Sequence, residues 1–252
     1  MDVSNTSALV TGAASGLGAA TAAALAERGV RVIGVDLPAG IDKAAEVSGV
    51  TYHPADVTQP DDVRAAVAAA AETGPLRTVV NCAGIAPSAR ILGKKGPHDL
   101  ALFETVIRVN LIGTFNVLTL AAEAMAETDP VDEDGQRGLI VNTASVAAFE
   151  GQVGQAAYAA SKGGVHSLTI TAARDLASLG IRVNTVAPGI VETPMLATVS
   201  EEYRAGLAAG VPFPHRLGRP SEYAQIVTTF VDNDYLNGTT LRMDGALRMA
   251  PR

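Results

Sequence analysis

The stretch Ser7-Ala-Leu-Val-Thr-Gly-Ala-Ala-Ser-Gly-Leu-Gly18 joins a short β-prone run to a glycine-rich turn, and an Ala-rich segment follows it. Residues 7–11 predict a strand and residues 16–28 a helix, which places the glycines at the turn between them. Gly12 permits a tight turn, Gly16 lets the backbone approach a phosphate, and Gly18 allows close packing of helix on strand. Since a helix N-terminus also offers N–H groups and partial positive charge, the turn predicts a site for a dinucleotide pyrophosphate.

A carboxylate follows this turn at a distance typical of nucleotide-binding folds. Asp36 ends the predicted second strand, 31–36, and lies 18 residues beyond Gly18, close to the spacing of about 20 expected for a ribose-binding acid. It would accept hydrogen bonds from ribose hydroxyls but repel a 2′-phosphate. The sequence therefore predicts NAD as the cofactor rather than NADP, although an Asp that merely ends a strand remains an alternative.

Strand-like and helix-like segments alternate along the rest of the chain, which predicts βαβ units and a parallel sheet covered on both faces. The fold class is α/β: a single Rossmann-type, doubly wound domain over 1–252, with a seven-stranded, mostly parallel sheet. A Pro-containing excursion at about 189–220 predicts a substrate lid. The predicted strands are 7–11, 31–36, 51–55, 78–81, 139–142, 182–186 and 240–242, and the predicted helices are 16–28, 41–47, 60–72, 100–127, 156–179 and 220–231.

Composition narrows the possible functions. The 252 residues carry 19 Lys+Arg against 26 Asp+Glu, and the net charge of −7 argues against nucleic acid as a partner. Cys82 is the only cysteine, so no intrachain disulfide is possible, and we expect a reducing, cytoplasmic location. The four His are scattered, which predicts no metal site, and no apolar run approaches the roughly 18 residues of a membrane span.

A tyrosine and a lysine share one face of a predicted helix. Tyr158 and Lys162 stand at i and i+4. A phenol, with a pKa of about 10, is a poor base at neutral pH. An ammonium about 5 Å away would favour the phenolate by roughly 3 kcal/mol and so lower the pKa of Tyr158 into a useful range. Taken alone, however, this pair is also common on solvated helix faces.

Several motifs together resemble the short-chain dehydrogenase/reductase family over essentially the whole chain. They occur in the family's order and spacing: the turn Thr11–Gly18, Asn81-Cys-Ala-Gly84, Asn110, Ser145, Tyr158-x-x-x-Lys162 and Pro188-Gly189. Within that family, the runs 142–158, 211–218 and 236–248 resemble the type II 3-hydroxyacyl-CoA dehydrogenases. Those enzymes are also described as hydroxysteroid dehydrogenases of broad substrate range.

The resemblance implies a set of catalytic residues. Ser145 would hydrogen-bond the substrate oxygen while Tyr158 exchanges its proton. Lys162 would bind the nicotinamide ribose, and Asn110 would hold a water that links Lys162 to solvent. Gln155 joins Ser145 and Tyr158 as a substrate-binding residue. For an isolated residue a structural role is the alternative: Ser145 as a cap or turn residue, and Asn110 as a partner of backbone groups.

The resemblance also implies cofactor contacts along the chain. Beyond the three glycines, Asp36, Tyr158 and Lys162, the expected contacts are Ser15, Leu17, Asp56, Val57, Cys82, Ala83, Gly84, Val191 and Thr193. Val191 and Thr193 would hold the carboxamide, and Asp56 and Val57 would lie near the adenine. Cys82 departs from the Asn that is commoner in the family, and we expect it to pack without taking part in the chemistry.

The sequence thus predicts an NAD-dependent oxidoreductase that removes hydride from a secondary alcohol. The resemblance implies L-3-hydroxyacyl-CoA as the substrate, in fatty-acid β-oxidation, and a homotetramer. A 3-ketoacyl-CoA or acyl-carrier reductase and a hydroxysteroid or alcohol dehydrogenase share the same site and remain alternatives. A dinucleotide-sensing or scaffold protein without catalysis is an alternative of another class.

Overall fold

A computed structural model describes residues 1–94, 96–196 and 200–251 of the chain. Within these residues, seven parallel strands form one sheet in the order β3-β2-β1-β4-β7-β8-β9. The strands are β1 Ser7–Thr11, β2 Arg31–Asp36, β3 Val50–Pro54, β4 Leu76–Asn81, β7 Gly138–Thr143, β8 Ile181–Pro188 and β9 Thr240–Met243. A short antiparallel pair, β5 Leu92–Gly93 and β6 Gly96–Pro97, lies outside the sheet. The predicted α/β class is confirmed, and all neighbouring strands of the sheet are parallel.

Helices cover both faces of the sheet. The α-helices are α1 Gly16–Ala26, α2 Pro38–Ile41, α3 Pro60–Thr73, α4 Leu100–Ile107, α5 Thr114–Ala126, α6 Ala156–Asp175, α7 Glu201–Ala209 and α8 Pro220–Asp232. A π-helical turn, Arg108–Gly113, joins α4 to α5, and 3-10 turns occupy Val146–Ala148, Ala177–Leu179 and Pro194–Leu196.

The strands are buried because apolar side chains pack on each face of the sheet. Every residue of β1, β4, β7 and β8 is buried, as expected for central strands of a covered parallel sheet. On one face, residues such as Val79 and Ile140 pack with α3, α5 and α6. On the other face, Val10 and Val141 pack with α1 and with Tyr223 and Phe230 of α8.

Two helix predictions need correction. The helix predicted at 41–47 is wrong, because the only helical residues there form the single turn α2. Pro38 begins that turn with its fixed φ, and Gly40 disfavours continuation. The helix predicted at 100–127 runs to Ala126 but is interrupted by the π turn. There Gly113 lies so close to Val57 that a Cβ at Gly113 would meet Val57 Cγ2 at 2.7 Å.

One described helical stretch, Leu100–Ala126, is long and apolar enough to cross a membrane by length and composition, with a mean hydropathy of 1.4. The expectation that no apolar run approaches such a length is wrong by this measure. In the structure, 44% of its apolar window is buried inside the molecule, and the stretch packs on α3, α6 and β4. These are the contacts of a core helix.

The sheet topology determines where a ligand can bind. Strand β1 lies between β2 and β4, so the connections that leave its carboxyl end and that of β4 run in opposite directions. Open parallel sheets bind ligands in the crevice at such a switch point. The predicted lid, 189–220, leaves the sheet after β8 and contains α7; residues 197–199 of it lie outside the described part of the chain.

Candidate active site

The glycine turn lies at the carboxyl end of β1, as predicted. Gly12 has φ +65° and Gly16 φ +54°, values that favour glycine. A Cβ at Gly18 would meet the carbonyl oxygen of Gly12 at 2.2 Å, so only glycine lets α1 begin this close to the strand. Over the described first turn of α1, the N-cap residue Ser15 makes no side-chain cap bond, and no acidic side chain is present. The N–H groups of this turn are therefore available for an anion.

Asp36 reaches the same turn from the end of β2. Its Oδ2 accepts a hydrogen bond from the Ala14 backbone N–H at 3.0 Å, and its Oδ1 accepts one from the Leu37 N–H at 2.8 Å. Both bonds fix the orientation of the carboxylate. Asp36 is thus a positioned negative charge beside the glycine turn.

A cavity of about 360 Å³ extends from this turn across the ends of β2, β3 and β4. Its walls fit a dinucleotide: glycine backbone at one end, the Asp36 carboxylate in the middle, and Val57 with Asp56 beyond it. Of the predicted cofactor residues, Gly12, Ser15, Gly16, Leu17, Gly18, Asp36, Asp56, Val57, Cys82, Ala83, Gly84 and Thr193 line it. The Val57 carbonyl accepts a hydrogen bond from Asn116 Nδ2 at 2.9 Å, which holds this wall against α5.

The loop after β4 is tied to the end of β1. The hydroxyl of Thr11 accepts hydrogen bonds from the backbone N–H groups of Cys82 and Ala83, both at 3.1 Å. The Cys82 thiol lies 3.6 Å from the Tyr223 hydroxyl, and burial raises the pKa of the thiol. A thiol with a raised pKa is a poor nucleophile, which agrees with the packing role predicted for Cys82.

The predicted catalytic side chains meet at the carboxyl ends of β7 and β8. Ser145 follows β7, and its Oγ accepts a hydrogen bond from the Ala147 N–H at 3.1 Å. Ser145 and Tyr158 line the same cavity, and the Ser145 side chain opposes the rise that burial causes in the pKa of Tyr158. Lys162 Nζ lies 5.8 Å from the centre of the Tyr158 ring and donates to the Thr143 carbonyl at 2.7 Å.

The pKa values of this pair differ from the sequence expectation. Burial raises the pKa of Tyr158, and the hydrogen bond from Ser145 offsets only part of that rise. Burial also lowers the pKa of Lys162 to about 8. The lowered pKa of Tyr158 that the sequence predicts is not found in this structure, because burial of the phenol outweighs the contribution of Ser145.

Asn110 lies in the π turn and is fully buried. Its side chain accepts from the Ile85 N–H and donates to the Ile85 carbonyl, both at 2.8 Å, and it also donates to Ser161 Oγ at 3.0 Å. It therefore clamps the loop after Gly84 onto the catalytic helix, next to Lys162. These contacts agree with the alternative in which the Asn110 side chain is a hydrogen-bond partner of backbone groups. The water relay through Asn110 stays a prediction.

A second cavity, of about 460 Å³, adjoins the first at Leu17, Cys82, Gly84 and Thr193. Ser145, Tyr158, Lys162, Gln155 and Val191 all line it. Gln155 Oε1 accepts from the Gln152 N–H at 3.0 Å, which fixes the side chain at the wall. The structure thus brings together the predicted substrate residues and places them beside the cavity at the glycine turn. Among the described residues, no group of His, Cys, Asp or Glu could hold a metal ion.

The sequence did not predict the buried hydrogen-bond network that adjoins Lys162. Thr143 offers its carbonyl to Lys162, while its hydroxyl donates to the Asn81 carbonyl at 2.6 Å and bonds the Tyr223 hydroxyl at 2.7 Å. Tyr223 is fully buried, although it lies 80 residues away along the chain. Tyr223 lies in an ordinary amphipathic helix, and no residue pattern near it in the sequence predicts this contact.

Comparison with known proteins agrees with the observed fold. A family model described as short chain dehydrogenase matches residues 6–204. A Bos taurus protein named 3-hydroxyacyl-CoA dehydrogenase type-2 is 52% identical over 97% of this chain and 95% of its own, and a Drosophila melanogaster protein of the same name is 51% identical over 99% and 100%. The crystal structure of 3-hydroxyacyl-CoA dehydrogenase type-2 from Mycobacterium avium is 44% identical, with a TM-score of 0.92 and 98% of each chain covered.

The chain belongs to the short-chain dehydrogenase/reductase family. It is an oxidoreductase that uses a nicotinamide dinucleotide, and it is similar to the proteins named 3-hydroxyacyl-CoA dehydrogenase type-2. The resemblance inferred from the motifs is confirmed.

Proposed function

We propose that this enzyme oxidises the hydroxyl group of an L-3-hydroxyacyl-CoA to the 3-ketoacyl-CoA, with NAD⁺ as the oxidant. The observation that carries the proposal is that Ser145, Tyr158 and Lys162 together line a cavity that adjoins the cavity at the glycine turn. The names of the relatives that are about 50% identical supply the substrate class.

Each of the residues in this cavity would have its own role in the reaction. The Ser145 hydroxyl donates a hydrogen bond to the substrate oxygen and so stabilises the charge that develops there. Tyr158 accepts the hydroxyl proton, and Lys162 would bind the nicotinamide ribose. The bound nicotinamide ring supplies the hydride acceptor. Ile190, Val191 and Leu196 form an apolar part of the cavity wall.

The preference for NAD rests on Asp36. Two backbone N–H groups hold its carboxylate in place beside the glycine turn. Ribose hydroxyls can donate to it, whereas a 2′-phosphate would bring a second negative charge against it.

The proposal is tested by steady-state rates with L-3-hydroxybutyryl-CoA and acetoacetyl-CoA, a hydroxysteroid and a simple secondary alcohol, each with NAD(H) and NADP(H). We expect the highest kcat/KM with the acyl-CoA and NAD(H). Tyr158→Phe should lower kcat by about 10²- to 10⁴-fold and leave NADH binding, followed by fluorescence, unchanged. Turnover of the steroid but of no acyl-CoA would refute the substrate, and an active Tyr158→Phe enzyme would refute the mechanism.

The assembly is also a proposal. The stretch from α4 to α5 exposes Ile112 and Phe115 to about half of their full accessibility (49% each), on the face turned away from the sheet. On α6, Ile170 is similarly exposed, at 43%. Apolar helix faces of this kind suit packing against other copies, and we propose the homotetramer that the family resemblance implies. A cytoplasmic location stays a prediction from the single cysteine.

A further inference from the structure

We propose that the chain after β9 controls which substrates fit the second cavity, with Met249 as the size-determining side chain. Residues 244–251 are called here the C-terminal strap. The proposal deepens the proposed function, on which it rests for the class of substrate that enters the cavity. It adds a residue that lies outside the Ser-Tyr-Lys site and far from it in sequence.

The base of the strap is held by Arg242 at the end of β9. Its guanidinium donates to Asp244 Oδ2 at 2.6 Å and to the Leu247 carbonyl at 3.0 Å, and it pairs with both oxygens of Glu150 at 2.9 and 3.1 Å. Leu247 is buried. Bidentate pairing of arginine with a carboxylate gives geometric specificity as well as attraction, so the direction in which the strap leaves the sheet is defined.

Glu150 joins the strap to the segment that follows Ser145. While its carboxylate binds Arg242, Oε2 also accepts a hydrogen bond from the Met249 backbone N–H at 3.2 Å. Arg248 adds contacts to Glu150 at 3.4 Å and to Asp244 at 3.1 Å. The position of Met249 is therefore coupled to the 3-10 turn next to the catalytic serine.

The far end of the strap is held by two further hydrogen bonds. Gln152 Nε2 donates to the Ala250 carbonyl at 2.9 Å, and the Val153 N–H donates to the Pro251 carbonyl at 3.1 Å. The strap thus lies alongside residues 150–153 at both ends of Met249. Gln152, Val153 and Met249 all line the second cavity.

The chemistry of the strap suits an apolar substrate portion. Met249 is half-buried and faces a cavity whose lining includes Ile190, Val191 and Leu196. A thioether side chain has flexible torsions and adapts to apolar groups of different shape. Shortening it enlarges the cavity, and one methylene in an apolar pocket can change discrimination about tenfold or more.

The test compares Met249→Ala, Met249→Phe and the volume-conserving control Met249→Leu, using kcat/KM for reduction of 3-ketoacyl-CoAs from four to ten carbons. A parallel series of ethyl 3-ketoesters with the same acyl lengths probes the cavity without CoA. We expect Met249→Ala to raise the ratio of long-chain to short-chain kcat/KM about tenfold, Met249→Phe to lower it, and Met249→Leu to leave it within about twofold.

The anchor is tested separately, by hydrogen exchange. Glu150→Gln weakens the pairing with Arg242, so the amides of residues 150–155 and 244–251 should exchange faster. Asp232→Asn, which disrupts the exposed Arg28–Asp232 pair on another side of the molecule, serves as the matched control and should leave both segments unchanged.

These outcomes separate the two proposals. The enzyme could turn over no acyl-CoA while the Met249 variants still change the ratio of long-chain to short-chain kcat/KM for the ketoesters. That result would refute the proposed function and support the role of the C-terminal strap. Turnover with a ratio that is the same in wild type, Met249→Ala and Met249→Phe would overturn the role of Met249. Equal exchange in Glu150→Gln and Asp232→Asn would overturn the anchor.

Discussion

Lys162 is almost completely buried, and its ammonium has the Thr143 carbonyl as its hydrogen-bond acceptor. Burial therefore lowers its pKa to about 8. An unfolded chain exposes the same lysine to water, where its pKa is about 10.4. Lys162 is thus a residue whose charged form the fold tolerates at a cost in stability.

This difference predicts how stability depends on pH. Between about pH 8 and 10.4 the unfolded chain binds more protons at Lys162 than the folded chain, so the free energy of unfolding rises with pH in that window. Relative to Lys162→Met, wild type should gain about 2 kcal/mol between pH 7 and pH 10. Urea unfolding of both proteins at several pH values measures the gain, and parallel curves would contradict the prediction. Taking the difference cancels the titration of groups that Lys162 does not influence.

Asp36 is the residue on which cofactor choice should depend. Asp36→Ala removes the carboxylate that accepts a hydrogen bond from the Ala14 N–H. The binding of the ribose should therefore weaken, and the repulsion of a 2′-phosphate should disappear. We expect the ratio of kcat/KM for NAD⁺ to that for NADP⁺ to fall by about tenfold or more, equivalent to about 1.4 kcal/mol. The control is Asp42→Ala, which removes a nearby exposed carboxylate. An unchanged ratio in Asp36→Ala would rule out this role.

At the scale of elements, the β1–turn–α1 unit has little tolerance for substitution at Gly18. Gly18→Ala would place a methyl group 2.2 Å from a backbone carbonyl that cannot move without distorting β1. We expect a loss of about 1–3 kcal/mol of stability together with weaker dinucleotide binding, measured by thermal unfolding and NADH fluorescence. Gly206→Ala is the matched control, since a Cβ there meets nothing within 4 Å in helix α7, and it should be neutral or stabilising. Equal behaviour of the two variants would refute the packing argument.

The elements also show why sequence patterns succeed or fail. Predicted strands agree with the observed ones to within about two residues, because β-branched runs and bounding turns are local signals. Hydrophobic periodicity does not describe the contact that Gly113 makes in the π turn at Arg108–Gly113. It also does not describe a single helical turn such as α2, which is why the helix predicted at 41–47 is wrong. Asn110 carried a family motif, but its clamp on Ile85 was visible only in the structure.

At the scale of the whole molecule, the apolar surface of α4 and α5 bears on assembly. Phe115→Glu would place a charge in the centre of the proposed interface, and we expect the tetramer to dissociate to smaller species. Sedimentation velocity measures the mass, and Val131→Glu, at an exposed loop residue, controls for added charge. A wild-type monomer, or a Phe115→Glu protein of unchanged mass, would contradict the proposal.

The sequence by itself determined the order of strands and helices, the glycine turn after β1, and the i, i+4 placement of Tyr158 and Lys162, because each depends on residues close together in the chain. Only the tertiary structure decided that Met249 reaches Glu150 across 99 residues and that Tyr223 supports Thr143 across 80. It also decided that burial raises the pKa of Tyr158. Desolvation and long-range contacts arise when distant segments pack together, and no local pattern of residues encodes them.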